Sequence, residues 1–261
     1  MINKSTKPLI SVITVVYNNV HVIEKTILSV LNQDYSNIEY LIIDGKSSDG
    51  TIEIIYKFLS HIHQFVSESD NGIYDAMNKG IDLASGDYII FMNSGDVFYN
   101  NNVISNVFNT SKNRNEVIFG DHCANFGTYT SFEKASYPTR KNPMSFCHQA
   151  VFVKSIILKN NKFDLRYKIC SDRNQFIQIF KQKPTYEYVK INISTIEAFG
   201  TSNSNRIATL REIKNIYKSN NMNTNLLINF KLFKGYCISV VEFLFGKDII
   251  NKFRRLIKQE Y

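Results

Sequence analysis

The sequence predicts an α/β protein in which a largely parallel sheet is flanked by helices. Short β-branched apolar runs alternate with segments whose apolar residues recur every three or four positions. Polar clusters stand beside these runs in four places, Ile13–Asn18, Ile43–Thr51, Asn71–Gly80 and Phe91–Asp96. Parallel strands end at one edge of a sheet, and ligands bind at that edge. The four clusters therefore predict one nucleotide site with an acidic, metal-binding rim.

The elements of the first half follow from these periodicities, with helix starts placed at residues that commonly cap helices. In chain order we predict a strand Leu9–Val16 that is buried on both faces, a helix from Asn18 or Asn19 to Leu31, a strand Glu39–Asp44, a helix from Ser47 or Ser48 to about Leu59, a strand Gln64–Ser67, a helix Gly72–Ala84 and a strand Asp87–Asn93.

The pattern is looser after Asp96. Strands are predicted at Val117–Gly120, Gln149–Val153 and Tyr186–Ile196, a hairpin or loop at Phe126–Ser136, and helices at Asp172–Lys183, Arg206–Lys218, Leu226–Phe245 and Asp248–Gln259. The last three helices hold much of the surplus that gives the chain a formal net charge of +8. Such a basic end can contact nucleic acid, an anionic membrane surface or a diphosphate. Its aromatic residues are not interleaved for base stacking, which disfavours nucleic acid.

Composition also limits the cellular setting. None of the four cysteines forms a C-x-x-C pair, so reduced thiols in a cytoplasmic protein are expected rather than a zinc or redox site. Lys4, Lys7 and the apolar run after them imitate a signal peptide, but no small-residue cleavage pattern follows. No segment reaches the roughly 18 uninterrupted apolar residues of a spanning helix.

Three residues at the predicted strand ends suit a nucleotide diphosphate. Tyr17 can stack on a base, and Asp44 can accept a hydrogen bond from a pyrimidine imide, or it can simply cap the next helix or form the turn. The turn Gly45–Gly50 offers backbone N–H groups at a helix start. Asp96 can hold a divalent cation whose shell is completed by phosphate oxygens and water, or it can cap the following segment.

These motifs resemble those of glycosyltransferase family two, which are inverting enzymes with the GT-A fold. The family's strand-one ending Tyr/Phe-Asn is similar to Tyr17-Asn18. Its Asp-Asp/Gly-x-Ser-x-Asp-Gly-Thr motif is similar to Asp44–Thr51, and its Gly-x-x-x-Ala-x-Asn-x-Gly helix to Gly72–Gly80. The resemblance is clearest from about Leu9 to Asp96 and runs more loosely to about Ser202.

The resemblance implies a GT-A catalytic domain at 1–204, with a nucleotide-binding half at about 8–96 and an acceptor half at 97–204, followed by a helical basic extension at 205–261. Where the family's metal motif usually reads Asp-x-Asp-Asp, this chain has Asn93-Ser94-Gly95-Asp96, which is similar to a subgroup associated with bacterial surface polysaccharides. Asp96 is then the ligand of Mn²⁺ or Mg²⁺. Backbone groups of Gly95 are the candidates for the ribose contacts of the missing acids. The full set of candidate nucleotide-binding residues is Thr14, Val16, Tyr17, Asp44, Ser47, Asn78, Asn93 and Gly95.

An inverting transfer also needs a base that takes the proton of the acceptor hydroxyl. By resemblance the base is Asp172, with Ser171 where glutamate is commoner, although Asp172 can also be a plain acid at a helix start. His148 and Gln149 are expected on the sugar or acceptor side, with a purely structural histidine as the alternative. Ser202 belongs to a segment similar to a loop that closes over the donor diphosphate.

The expected activity is transfer of a hexose, glucose or galactose, from a UDP-sugar to a hydroxyl of a polyprenyl-diphosphate-linked acceptor. The product is a β-linkage in O-antigen or capsule. The basic helices either attach the enzyme peripherally to the inner face of the inner membrane or pack on the core. A decayed scaffold of the same fold predicts loss of Asp96 or Asp172, and a nicotinamide oxidoreductase needs G-x-G-x-x-G after the first strand. Both acids are present and the glycine motif is absent, so the sequence favours neither alternative.

Overall fold

Nine strands form one mixed sheet in the first part of the chain. The computed structural model describes residues 7–111, 115–127, 129–197 and 206–222, and the chain divides into two units, Met1–Ala198 and Phe199–Tyr261. The strands are β1 Ile10–Val16, β2 Ile38–Asp44, β3 Gln64–Ser67, β4 Tyr88–Phe91, β5 Val97–Phe98, β6 Val117–Asn125, β7 Thr130–Glu133, β8 Val151–Lys154 and β9 Tyr186–Glu197. Their order is β3-β2-β1-β4-β8-β6-β9-β5, with β7 paired to β6.

The first four strands are parallel, as the alternation of strands and helices predicts. β1 pairs with β2 and β4, and β2 pairs with β3, all in the parallel sense. Val16 and Asp44 are partners at the last position of their strands. The predicted polar clusters after β1, β2 and β4 therefore start from the same edge of the sheet. Every residue of β1 is buried, which confirms the strand covered on both faces.

The second half of the chain extends the same sheet with β5 to β9, some of which run antiparallel to their neighbours. β8 runs antiparallel to β4 and β6, while β6 and β9 are parallel with register shifts near Asp121. β5 pairs antiparallel with the end of β9, Val97 facing Thr195. This pairing brings the residue before β5, Asp96, beside the last residue of β9, Glu197. The predicted α/β class is thus confirmed, with a mixed rather than a fully parallel sheet.

Helices cover both faces of this sheet. They are α1 Ile23–Leu31, α2 Thr51–Tyr56, α3 Ile73–Leu83, α4 Val103–Thr110, α5 Ser155–Asn160 and α6 Ser171–Lys181, with short 3₁₀ turns at Leu59–His61 and His148–Ala150. One core joins α1, α2 and α4 to residues such as Val12 and Ile42, and the other joins α3, α5 and α6 to their neighbours Ile13 and Ile43. Side chains that alternate along a strand point to opposite faces, so each strand feeds both cores.

Two predicted helix caps are wrong. α1 begins at Ile23, after Val22, and α2 begins at Thr51, after Gly50, and neither start has a side-chain cap. The predicted capping residues of both helices instead form hydrogen bonds between the loop after β1 and the loop after β2, as described below. Gly50 has a φ of 98°, a left-handed conformation that glycine adopts without strain, and this ends the loop before α2.

Three elements were not predicted, namely β5, α4 and α5. The hairpin alternative for Phe126–Ser136 is the observed one, since β7 folds back on β6. In the second unit the predicted helix at Arg206 is observed as α7, Arg206–Ser219. The two further helices predicted after residue 225 lie outside the described residues. Within the described ranges, no helix has the length and apolar character needed to cross a membrane.

Candidate active site

The loop after β1 is joined to the loop after β2 by a series of hydrogen bonds. The Asn18 N–H donates to Ser47 Oγ at 2.8 Å, and Ser48 N–H donates to Asn18 Oδ1 at 2.8 Å. One residue further on, the Asn19 N–H donates to Thr51 Oγ1 at 2.9 Å. The side chains of Asn18 and Ser47 are therefore used between the two loops and cap neither helix. Ser47, predicted to bind the nucleotide, has its hydroxyl engaged in shaping the loop.

The acid of the second motif has a similar structural role. Asp49 Oδ2 accepts from Val20 N–H at 3.1 Å, and its Oδ1 accepts from Thr51 N–H at 3.0 Å. These hydrogen bonds hold the pKa of Asp49 below its ordinary value, the Thr51 hydroxyl contributing most. Much of the motif Asp44–Thr51 thus builds the rigid edge on which other residues meet a ligand.

Tyr17 and Asp44 have the surroundings expected of base-binding residues. The Tyr17 ring is 65% exposed although it follows a fully buried strand. Asp44 is fully buried, and its Oδ2 accepts from Ser47 N–H at 2.9 Å and Ser67 Oγ at 2.6 Å. Its Oδ1 is buried without a hydrogen-bond partner in the structure. A buried carboxylate oxygen in that condition is costly unless a donor from a ligand reaches it.

Asp70 joins this group, and the sequence analysis missed it. Its Oδ1 accepts from Gly72 N–H at 2.8 Å. Its Oδ2 lies 2.6 Å from the point that a Cβ on Gly45 would occupy, and the Tyr17 ring lies 3.3 Å from the same point. The glycine at position 45 therefore leaves room for a carboxylate from another loop. In the sequence, the one sign of this space was the glycine at the second position of the motif, where the family has either Asp or Gly.

The Asp96 carboxylate is buried at the end of the same edge. Its Oδ2 accepts from Gln149 Nε2 at 3.0 Å, and its Oδ1 accepts from the Glu197 N–H at 3.4 Å. Burial raises the pKa of Asp96 to about 7, against the lowering effect of these two donors. Gln149, predicted on the sugar or acceptor side, is thus a direct partner of the predicted metal ligand.

The segment before Asp96 is held by α1 and by the first loop. Thr26 Oγ1 accepts from Gly95 N–H at 3.0 Å and donates to the Asp96 carbonyl at 2.9 Å. Gly95 has a φ of 105°, so a side chain here is strained. Asn93 is 8% exposed, and its Oδ1 is buried without a hydrogen-bond partner in the structure. Asn93 therefore keeps an acceptor for a ligand, as its predicted role requires.

Two predicted nucleotide contacts lie deeper. The Thr14 side chain is fully buried, and its hydroxyl donates to the Met92 carbonyl at 2.7 Å and lies 3.1 Å from the Tyr40 hydroxyl. The Val16 side chain belongs to the core, and the Val16 carbonyl accepts from Gly45 N–H at 2.9 Å. Both residues link β1 to its neighbours, so we assign neither of them a ligand contact.

His148 is buried near Asp172, the predicted base. Its ring is 8% exposed and lies 5.3 Å from the Phe91 ring, with Nε2 buried and unpartnered in the structure. Burial lowers the pKa of His148, opposed by the charge of Asp172. The neighbouring Cys147 thiol donates to Gln149 Oε1 at 3.0 Å. Burial raises the pKa of Cys147 to about 12, and the charges of both Asp96 and Asp172 add to this. The segment 147–149 therefore contacts Asp96 through Gln149 and is near enough to Asp172 to be affected by its charge.

The buried His148 predicts a pH dependence of stability. Burial holds the pKa of the imidazole in the folded protein below the ordinary value of about 6.5, at which the unfolded chain takes up a proton. The unfolded state therefore binds more protons below that pH, and stability is lost as the pH falls through it. We expect His148→Phe to lose less free energy of unfolding than wild type between pH 7.5 and pH 5.5, measured by urea titration. The exposed His21→Gln is the control, and equal losses in His148→Phe and wild type would contradict the assignment.

Asp172 stands in the first turn of α6, as predicted. Its Oδ1 accepts from Arg173 N–H at 2.8 Å and lies 3.3 Å from the Tyr74 hydroxyl. The adjacent Ser171 is fully buried, and its hydroxyl donates to the Asp164 carbonyl at 2.9 Å. A negative charge is favoured at a helix start, and Asp172 is the acid in the first turn of α6.

Asn78 and Ser202 differ from the rest of the predicted set. The Asn78 side-chain amide is paired with the backbone of Phe163, donating to its carbonyl and accepting from its N–H, both at 2.9 Å. This is a contact within the protein rather than at the sheet edge, and we do not assign Asn78 to the nucleotide. Ser202 lies outside the described residues.

The residues present fit a single-carboxylate metal site. Across the described ranges, no group of three or more His, Cys, Asp or Glu side chains could hold a metal. Asp96 is a buried carboxylate that only two donors approach, and the neighbouring Asn93 Oδ1 lacks a partner in the structure. A divalent cation held by one carboxylate can take the rest of its shell from phosphate oxygens and water.

The sequence and fold comparisons agree with this geometry. A family model described as Glycosyl transferase family 2 matches residues 11–189. A PGL/p-HBAD biosynthesis glycosyltransferase of Mycobacterium bovis is 26% identical over 231 residues, which cover 85% of this chain and 89% of that protein.

Two solved structures show the same fold. TarS 1-349 of S. aureus in complex with UDP has a TM-score of 0.60 at 15% identity, covering 79% of this chain and 66% of that chain. The mannosyltransferase PcManGT of Pyrobaculum calidifontis, in complex with GDP-Man and Mn2+, has a TM-score of 0.66 at 13% identity, covering 97% and 81%. Since the family model spans well over half of the chain, this protein belongs to glycosyl transferase family 2 and has the GT-A fold.

Proposed function

We propose that the protein is an inverting glycosyltransferase that moves a hexose, glucose or galactose, from a UDP-sugar to a hydroxyl of a lipid-diphosphate-linked acceptor. The observation that carries this proposal is the grouping at one sheet edge. An exposed Tyr17, an unpartnered Asp44 oxygen and the buried Asp96 lie along it, and the charges of both Asp96 and Asp172 act on the neighbouring Cys147.

The donor base is proposed to lie on Tyr17. Its imide N–H would donate to Asp44 Oδ1, the oxygen that lacks a partner in the structure. Asp70, beside both residues, would accept from the base or a ribose hydroxyl. The structures of TarS with UDP and with UDP-GlcNAc support a uridine donor, whereas PcManGT with GDP-Man makes a guanosine donor the competing choice.

Asp96 is proposed to hold Mn²⁺ or Mg²⁺ against the donor diphosphate. When bound, the cation offsets the charge that develops on the departing nucleoside diphosphate. Gln149 and the Glu197 N–H orient the carboxylate from one side. Asn93 and the Gly95 backbone would contact the ribose, in place of the acids that usually precede the metal ligand.

Asp172 is proposed to act as the general base. Its carboxylate, at the start of α6, would take the proton of an acceptor hydroxyl as that oxygen attacks the anomeric carbon. Attack from the face opposite the leaving diphosphate inverts an α-linked donor and gives a β-linkage. His148 Nε2, which lacks a partner in the structure, would bind a sugar hydroxyl on this side.

The acceptor and the cellular location are proposed from the motif before Asp96 and from the basic residues of α7. The similarity of Asn93–Asp96 to a surface-polysaccharide subgroup favours O-antigen or capsule assembly on a polyprenyl diphosphate. Helix α7 carries Arg211, Lys214 and Lys218, and basic residues attract anionic lipid surfaces. We therefore place the enzyme in the cytoplasm, peripherally on the inner face of the inner membrane. A decayed scaffold is not favoured, because both acids are present and suitably surrounded.

A donor screen tests the proposal. Purified protein with Mn²⁺ is incubated with UDP-glucose, UDP-galactose, their N-acetyl forms and GDP-mannose, together with a synthetic N-acetylhexosamine-diphosphate-lipid, and products are identified by mass. We expect one UDP-hexose to be consumed with a mass gain on the acceptor. Consumption of GDP-mannose would overturn the uridine assignment, and the absence of both product and metal-dependent UDP binding would overturn the transferase.

A further inference from the structure

Helix α3 holds the loop that leads to Asp172, and nothing in the predicted nucleotide set anticipates this. The Asn78 amide and the Phe163 backbone form two hydrogen bonds of 2.9 Å, one in each direction. A primary amide that pairs in this way fixes both the position and the orientation of the peptide it binds. The loop between Phe163 and Ser171 is therefore fastened to α3 at its start.

Tyr74 fastens the other end of the loop. Its hydroxyl donates to the Ile169 carbonyl at 2.8 Å and lies 3.3 Å from Asp172 Oδ1. Its ring is 8% exposed and packs against Phe163, with 5.1 Å between ring centroids. Tyr74 and Asn78 are four residues apart, so they lie on the same face of α3. That face is turned toward the loop.

The loop between these two points is itself closed. The Ser171 hydroxyl donates to the Asp164 carbonyl at 2.9 Å, and Tyr167 N–H donates to the same carbonyl at 3.1 Å. A loop closed internally and attached at both ends has little freedom to change where its last residues lie. The position of Asp172 therefore depends on where α3 lies.

Helix α3 is in turn packed against β1 and β2, the strands that lead to the proposed donor contacts. A Cβ on Gly80 would lie 2.6 Å from Ile13 Cγ2, so only glycine allows the helix to approach β1 this closely. Ile13 and its neighbour Ile43 on β2 are fully buried at the contact. These two strands end in Tyr17 and Asp44. The helix thus connects the proposed base to the strands that carry the proposed donor contacts.

We propose that Tyr74 and Asn78 are positioning residues, which hold the Asp172 carboxylate at a set place relative to the bound donor. This rests on the proposed function, because it takes Asp172 as the general base. It assigns the motif Gly72–Gly80 to placement of the base rather than to nucleotide binding. Removing the Tyr74 hydroxyl takes away its hydrogen bond to the Ile169 carbonyl and its contact with Asp172 Oδ1, while the ring contact with Phe163 remains.

Tyr74→Phe is the test variant, measured by release of UDP from UDP-glucose and UDP-galactose with Mn²⁺ and water as the acceptor. We expect kcat to fall about tenfold, as for loss of one hydrogen bond that holds the loop before Asp172, while the KM for the UDP-sugar and the affinity for UDP change less than about twofold. Asn78→Ser should act in the same sense. Unchanged UDP affinity in each variant verifies that it is folded.

Two further variants separate positioning from general destabilisation. Asp82→Asn removes an exposed ion pair with Lys162, which joins the same helix to the residue before Phe163, and should leave kcat unchanged. In an Asp172→Asn background, Tyr74→Phe should cost nothing more, because the group it positions is gone.

The outcomes distinguish the two proposals. A wild-type kcat in Tyr74→Phe, a raised KM with kcat unchanged, or losses that add in the double variant would each overturn the positioning role. Full activity of Asp172→Asn alone would instead overturn Asp172 as the base, and the proposed mechanism with it.

Discussion

Asp172→Asn is expected to lower turnover by about 10²- to 10⁴-fold, the contribution of a general base, while binding of the donor stays nearly unchanged. The asparagine keeps an oxygen that can accept from Arg173 N–H, and so the start of α6 should be preserved. Transfer rate under saturating donor and UDP affinity by calorimetry are the two measurements. The loss should appear in kcat, because a base acts only once the acceptor is bound.

Asp164→Asn is the matched control for that experiment. Asp164 belongs to the same loop, and its carboxylate pairs with the exposed Arg166 at 2.6 Å. Since its carboxylate is engaged by Arg166 rather than by Asp172 or Tyr74, the control should keep most of the activity. A wild-type rate in Asp172→Asn, or an equal loss in both variants, would move the base to another residue.

Asp96→Asn is expected to abolish metal-dependent binding of UDP and transfer together. The amide keeps the shape of the carboxylate but only one of its oxygens, so it can accept from Gln149 Nε2 or from the Glu197 N–H and not from both. Stabilising a leaving diphosphate with a cation contributes several kcal/mol, so we expect transfer to fall by about a thousandfold or more. UDP binding is measured with Mn²⁺ and with a chelator.

Asp87→Asn serves as its control, because Asp87 lies just before the other end of β4 and accepts from the Leu9 N–H at 2.8 Å. It should bind UDP in a metal-dependent way, as wild type does. Activity of the wild-type protein in excess chelator, or of Asp96→Asn with Mn²⁺, would contradict the metal role of Asp96.

The sequence predicted the nucleotide-binding half of the fold well, because the patterns that indicate its strands and helices lie within short segments. β2 is observed within one residue of its predicted start, and β3 at its predicted bounds. A buried strand is visible as a β-branched apolar run, and a covering helix as a three- or four-residue period. β5 is only two residues long and exists through its pairing with β9, so no pattern within the segment could reveal it.

The roles of individual polar residues were harder to predict, because their partners are distant in the chain. Gln149 binds Asp96, 53 positions earlier, and Asn78 binds Phe163, 85 positions later. The predicted caps were wrong for the same reason. A polar residue before a helix can cap it or bond to a neighbouring loop, and the sequence does not state which loop is near.

By itself the sequence determined the α/β class, the family resemblance and the edge of the sheet on which Tyr17, Asp44 and Asp96 are found. Periodicity and motif spacing encode these properties within short segments. Only the tertiary structure decided which oxygens lack partners, that Asp70 fills the space beside Gly45, and that Tyr74 and Asn78 attach the Asp172 loop to α3. Hydrogen bonds form only at short range, so these properties depend on which distant segments of the chain folding brings together.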